Sequence, residues 1–481
     1  MAEAAALVVY AVLLAAASVI VWRRPFVALF LWIIGLAVHN AVMAALYAGG
    51  VRGGVLTFIQ AWKEILLAVA WARVVADAVR TRALPFRPQL VDWLALVFVG
   101  FVVVYALVPQ SALGGFASHK TVAYAFRHDV VPVAAFLLFR ALGLAREELR
   151  RIAWTLLVVA AAVAAVGLVD VYAVSIGWWR TNGVVDYFRK QLGYDYHGTG
   201  GLPENFVFNV GGDKPFVRRL VSTFLSPLGA AYMFAVTLLV GWRLLTRRIA
   251  LALAFVAVAG LLFTFTRAAL FALAGGLIVL ALLRRSPAAV GAAALTVGVA
   301  IAWVHVFPKI GPTGNWTRAD LVYQHERAKQ RGGTAAAALS TNEDSLRSHW
   351  RNLKDGVRTV AHHPQGYGLG NAGQAANRFE HQLKAGESEY TELGVEVGLA
   401  GALVWIAWSL AVLWGLVRTG AAGVAAAFAA VLALAVQTDV LGDPWLAYCM
   451  WALAGALCVR REPATVPEAS RERADLVTSP A

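Results

Sequence analysis

The stretch LALAFVAVAGLLFTFTRAALFALAGGLIVLALLRR, residues 251–285, decides how the rest of the chain is read. It is apolar on both sides of Arg267 and ends on Arg284 and Arg285. A helix rises ~1.5 Å per residue, so about 20 apolar residues cross a hydrocarbon core of ~30 Å. Two such runs, 249–266 and 268–283, with hardly any loop between them, predict consecutive membrane helices with Arg267 at their junction. A lone cation in that setting costs several kcal/mol unless it faces a polar cavity. Arg267 is therefore the first candidate functional residue.

Working outward, apolar runs recur over 4–22, 26–48, 55–72, 91–108, 129–144, 152–175, 220–241, 249–266, 268–283, 288–307, 393–416, 421–437 and 445–459. Continuous apolarity without alternation predicts helices rather than a barrel. The expected fold is all-α: a polytopic integral membrane protein of 12–13 transmembrane helices over residues 1–461, with a disordered cytoplasmic tail over 462–481. Composition agrees. Hydrophobic residues make up 60%, charged residues 15%, and mean hydropathy is +0.65. An ordinary soluble chain carries about 25% charge to cover its surface, so a soluble enzyme and a secreted disulfide scaffold are excluded. Cys449 and Cys458 share one apolar run and show no metal or disulfide pattern. Met1 to Trp22 lacks the basic start of a cleavable signal.

The net charge of +14 does not point to nucleic acid. Arg23 and Arg24, Arg80 and Arg82, Arg150 and Arg151, Arg247 and Arg248, Arg284 and Arg285, Arg418, and Arg460 and Arg461 all follow alternate spans. That is the positive-inside pattern, and it places the C-terminus in the cytoplasm. The opposite face then carries two long connections, 176–219 and 308–392. In the second, Leu346, Trp350, Leu353 and Val357 stand three to four apart amid charge, predicting an amphipathic helix over 344–361. GYGLGNAG (366–373) is glycine-rich but lacks the lysine and strand-helix setting of a phosphate loop. His349, His362, His363 and His381 have no acidic or thiol partners at metal spacing, so no metal site is expected.

Arg127, Arg219, Arg267 and Arg347 do not belong to the cytoplasmic set. All four fall at or near the outer boundary. Guanidinium forks bind phosphate oxygens bidentately and keep their charge, so together they suggest a clamp for a lipid diphosphate. Lys63 and Glu64 inside the third span read as a mutual pair.

Four ordered blocks carry a resemblance. They are RRLVSTFLSPLGAAYM (218–233), LLFTFTRAALFALAGG (261–276), SLRSHWRNLKDGVRTVAHHPQGYGLGNAG (345–373) and ESEYTELGVEVGLAGAL (387–403). Over about 200–430 the chain resembles the O-antigen ligase and O-antigen polymerase superfamily. Ligases of that superfamily carry a histidine, then Asn, Ser or Gln, nine residues, and Gly-x-x-Gly. Ser388, Gly398 and Gly401 match, but the first position is Glu387. That departure favours a polymerase over a ligase.

The resemblance implies a metal-independent, inverting glycosyltransferase with a GT-C-like membrane fold and no cofactor, in the bacterial inner membrane with its large loops periplasmic. The implied donor is a glycan on undecaprenyl diphosphate. The acceptor is another lipid-linked repeat unit in a polymerase and lipid A-core in a ligase. In that reading Arg219 and Arg267 grip the diphosphate with Arg347 and Arg127, and Glu387 is the general base. His363, Glu389 and Tyr390 are supporting residues. Membrane lipids, a chain-length regulator and a flippase are the implied partners, and nucleic acid is not. A transporter is the rival from another class. Paired halves would favour it, and none is visible in the sequence.

Overall fold

The computed structural model describes residues 2–194, 202–203, 205–210, 214–322, 326, 344–379 and 388–459. The polar tail after Val459 and Glu387 lie outside these residues. The first half contributes α1 (Ala2–Arg23), α2 (Val27–Ala48), α3 (Gly53–Gln60), α4 (Trp62–Thr81), α5 (Leu90–Leu107), α6 (His119–Leu142) and α7 (Arg146–Ala173). Then come α8 (Pro227–Leu244), α9 (Arg248–Phe263), α10 (Arg267–Arg284) and α11 (Pro287–Ile310). The second long connection holds α12 (Asp344–His362), α13 (Gly373–Phe379) and α14 (Glu389–Glu396). It leads into α15 (Gly398–Thr419), α16 (Ala422–Leu434) and α17 (Leu446–Leu457).

Among the described residues, nine helices are long and apolar enough to cross a membrane. The pair α3 and α4, bent by 42° at Ala61, makes a tenth, and α9, α16 and α17 are shorter apolar helices. These account for all thirteen apolar stretches of the sequence. The chain is an all-α, multi-pass membrane protein.

Two helices differ from their apolar runs. Helix α6 begins ten residues before the run 129–144, because Ser118 caps it by accepting from the Thr121 N–H at 3.3 Å. Its polar first turns therefore carry Lys120, Tyr124, Arg127, His128 and Asp129 on a continuous helix. The run 393–416 is broken between α14 and α15, where Gly398 has a φ of +71°. A Cβ there would meet the Tyr105 hydroxyl at 2.8 Å and the Gln365 carbonyl at 2.9 Å, so only glycine fits this turn.

The core is aromatic where five helices meet. Trp405 and Trp408, one turn apart on α15, pack on Trp451 of α17 with centroids at 5.0 and 4.6 Å. Phe98, Phe136 and Phe428 close the cluster from α5, α6 and α16. Outside the helices, β1 (Val207–Phe208), β2 (Phe216–Arg218) and β3 (Thr313–Gly314) form a small antiparallel sheet in that order. It ties the first long connection to the start of the second.

Near the end opposite the long connections, Arg140 meets Asp92 through two bonds of 2.8 Å, with both side chains buried. Removing one partner leaves a charge stranded in an apolar bundle. Arg140→Ala should cost about 3–5 kcal/mol, and the double variant Arg140→Met/Asp92→Leu should recover most of it. Thermal unfolding of the detergent-purified protein checks both, and an unchanged midpoint for Arg140→Ala would remove the pair's structural role.

Candidate active site

The Thr-Phe-Thr turn builds a cationic cluster. Thr264 ends α9 by donating its hydroxyl to the Leu261 carbonyl at 2.6 Å. Phe265 then takes a left-handed backbone conformation, φ 49°, which a non-glycine residue holds only when its surroundings fix it. Its ring supplies that hold, stacking on Phe307 at 4.8 Å and meeting Phe208 at 4.8 Å. The chain thus reverses within three residues and opens α10 on Arg267.

Arg219 closes over the same turn. Its Nε donates to the Thr264 carbonyl at 2.8 Å and one terminal nitrogen to the Thr266 hydroxyl at 3.1 Å. The other donates to Asn205 Oδ1 at 3.2 Å. Every one of these acceptors is neutral, and two of the guanidinium's five N–H bonds remain. Burial, then the charge of Arg267, bring Arg219 from its ordinary 12.5 down to about 10, so it is still a cation at neutral pH. Its neighbour Arg218 has the opposite fate. It is buried, donates to the Val171 and Val174 carbonyls, and pairs with Asp170 at 3.3 Å. Of the adjacent arginines, one anchors the fold and the other, with Arg267, forms a cationic site at the helix break.

A second cluster is acidic and was not legible as a unit. His128 lies between two carboxylates, Asp129 at 2.8 Å and Asp439 at 3.0 Å. A neutral imidazole has one N–H. Two hydrogen bonds to carboxylates therefore require one further proton, on the ring or on a carboxyl group. With Glu389, Glu392 and Glu396 these groups line a cavity of about 10 Å³, space for roughly one water. Glu389 accepts from the Val440 N–H at 3.2 Å and Glu396 from the Gly370 N–H at 2.8 Å. Burial, then Asp439, push the Glu389 carboxyl up to about 8. The acids stand at 389, 392 and 396, a spacing that puts them on one face of α14. That spacing, and the adjacent His128 and Asp129, were the signals available in the sequence.

The remaining candidates separate. Arg127 belongs to a third set, pairing with Glu64 at 3.1 Å, while Lys63 meets the other Glu64 oxygen at 3.3 Å. His363 lies 2.9 Å from the Leu113 carbonyl and stacks on Tyr367, which fastens α12 to the chain after α5. The Tyr390 hydroxyl donates to the Leu432 carbonyl of α16 at 2.9 Å. Arg347 lies on α12, with its side chain outside the described residues, as is all of Glu387.

Glu389 gives the site a pH signature. Its carboxyl has an ordinary value of 4.5 and is raised to about 8 in the fold. Between those values the unfolded chain releases a proton that the folded chain keeps, so this group's stabilisation is complete below about 4.5 and is lost as pH rises toward 8. Glu389→Gln should flatten that decline. Thermal unfolding across the same pH range, wild type against variant, reads it, and parallel curves would exclude the effect.

Comparison with known proteins adds one match. Residues 251–406 fit the family model for O-antigen ligase. The matched segment, about a third of the chain, includes the α9–α10 turn, all of α14 and the first turns of α15. No curated protein matches the chain.

Proposed function

We propose that this chain, whose residues 251–406 fit the family model for O-antigen ligase, is a polymerase of bacterial surface or secreted polysaccharide. It transfers glycan from undecaprenyl diphosphate to a hydroxyl of another lipid-linked repeat unit, at the periplasmic face of the inner membrane and with inversion. The observation that carries this reading is the Arg219 and Arg267 pair at one helix break, where Arg219 is held only by neutral oxygens.

Diphosphate is a leaving group that gains negative charge as the glycosidic bond to phosphate breaks. Fixed guanidinium donors in a site shielded from water stabilise that charge without reorganising. The acceptor hydroxyl attacks the anomeric carbon and gives its proton to a base. Glu387 is that base in this reading. It directly precedes Ser388, whose hydroxyl is fixed to the Ala435 carbonyl at 3.2 Å. The first buried acid of α14, Glu389, follows two residues on and is there to hold a proton. The arginine-rich connections at the other end of the bundle support a periplasmic location for the two long connections. A ligase acting on lipid A-core is the second reading, favoured by the description of the matching family.

Arg267→Ala should lower elongation about 10²–10³-fold, the usual cost of removing one donor to a developing anion, while leaving the unfolding midpoint unchanged. Glu387→Gln should remove most turnover and spare donor binding. Purified protein supplied with lipid-linked repeat units reads both. A ladder of lipid-linked polymer supports the polymerase, a single transfer to added lipid A-core supports the ligase, and full activity of Arg267→Ala rejects the clamp.

A further inference from the structure

Lys120, Tyr124 and Arg127 recur on α6 four and three residues apart, and so share one face of its first turns. Arg378 and Phe379 end α13 beside that face. The five side chains interleave. Tyr124 and Phe379 meet edge to face at 5.6 Å. The guanidinium carbons of Arg127 and Arg378 lie 5.1 and 5.0 Å from the centre of the same Tyr124 ring, hence no more than about 10 Å apart. Arg378 is also 5.1 Å from the Phe379 ring, and the Lys120 ammonium is 4.7 Å from it.

Three cations are thus gathered on two rings. Ring faces attract cations but do not cancel their charge. Among the described residues the only carboxylate paired with any of the three is Glu64, which Arg127 shares with Lys63. The Nε of Arg378 is buried, with no hydrogen-bond partner among those residues. Lys120 is exposed, and 44% of the Arg127 side chain is open. Like charges held this close call for an anion, and two of them present guanidinium forks suited to phosphate oxygens. Helices α6 and α10 both start at the end of the bundle that bears the long connections. The two cationic places share that end but are built from different elements.

We propose that Arg127, Arg378 and Lys120 form a second diphosphate subsite, which holds the polyprenyl diphosphate of the acceptor while Arg219 and Arg267 hold that of the donor. The proposal rests on the polymerase reading, because a polymerase's acceptor is itself a polyprenyl diphosphate. Tyr124 and Phe379 set the spacing of the three cations, of which Arg127 alone reaches Glu64.

Binding of radiolabelled undecaprenyl diphosphate to the full-length protein in phosphatidylcholine nanodiscs tests it. Wild type should bind two molecules per chain. Arg378→Ala/Lys120→Ala should lose one, and Arg267→Ala should lose the other. One molecule on wild type, or two on the Arg378→Ala/Lys120→Ala variant, overturns the subsite. Phosphatidylglycerol displacing the Arg378-dependent molecule as readily as unlabelled undecaprenyl diphosphate also overturns it, since the patch would then be a general headgroup site. A variant that loses both molecules has lost its fold, and the milder Arg378→Gln, expected to weaken one site alone, then decides. Elongation by wild type is scored separately. Two bound molecules without elongation would reject the polymerase and the acceptor role, whereas elongation with a single bound molecule would reject only the subsite.

Discussion

An ion in an apolar bundle must bring its counter-charge or its proton with it. Arg140 meets that requirement with Asp92, Arg218 with Asp170, and Lys63 with Glu64. His128 meets it with two carboxylates and one additional proton. These closed sets hold the helices in place. Arg219 is the exception that gives the others their meaning, because its acceptors are two threonine oxygens and an asparagine. Neutral oxygens orient a guanidinium without neutralising it, so its charge remains available to an anionic ligand.

The helices were legible because hydrocarbon imposes one rule along the whole chain. Thirteen apolar runs became thirteen apolar helices or helix pairs, and Arg267 stood out for breaking the pattern. Polar helix was harder to see. Nothing in the hydropathy of residues 119–128 marks them as the start of α6, since their side chains are satisfied by neighbours distant in sequence. Asp439 is 311 residues from His128, and Glu64 is 63 from Arg127. Contacts of that separation follow from packing and leave no local spacing to read. Even the choice between Arg218 and Arg219 depends on where Asp170 lies.

Acid and base occupy separate places in the site. The Arg219 and Arg267 pair sits at the α9–α10 turn, and the carboxyl groups of α14 surround a space of about one water. A diphosphate drawn to the first is repelled by the second. A hydroxyl group carries no charge and meets no such barrier.

The small sheet has a different consequence. Strand β2 pairs Val217 with Phe208 on one side and with Thr313 on the other, and the Leu220 N–H bonds to the Phe263 carbonyl at 2.9 Å. Main-chain bonds on three sides thus fix the register of residues 216–220, whatever side chains the neighbouring strands carry. Alternate residues of a strand face opposite ways, so a slip of one position would exchange Arg218 and Arg219 between Asp170 and the α9–α10 turn. The segment between Ile310 and Thr313 is constrained in the same way: an insertion there would shift the register, and a Cβ at Gly311 would lie 2.5 Å from Val217 and 2.8 Å from the Phe307 carbonyl.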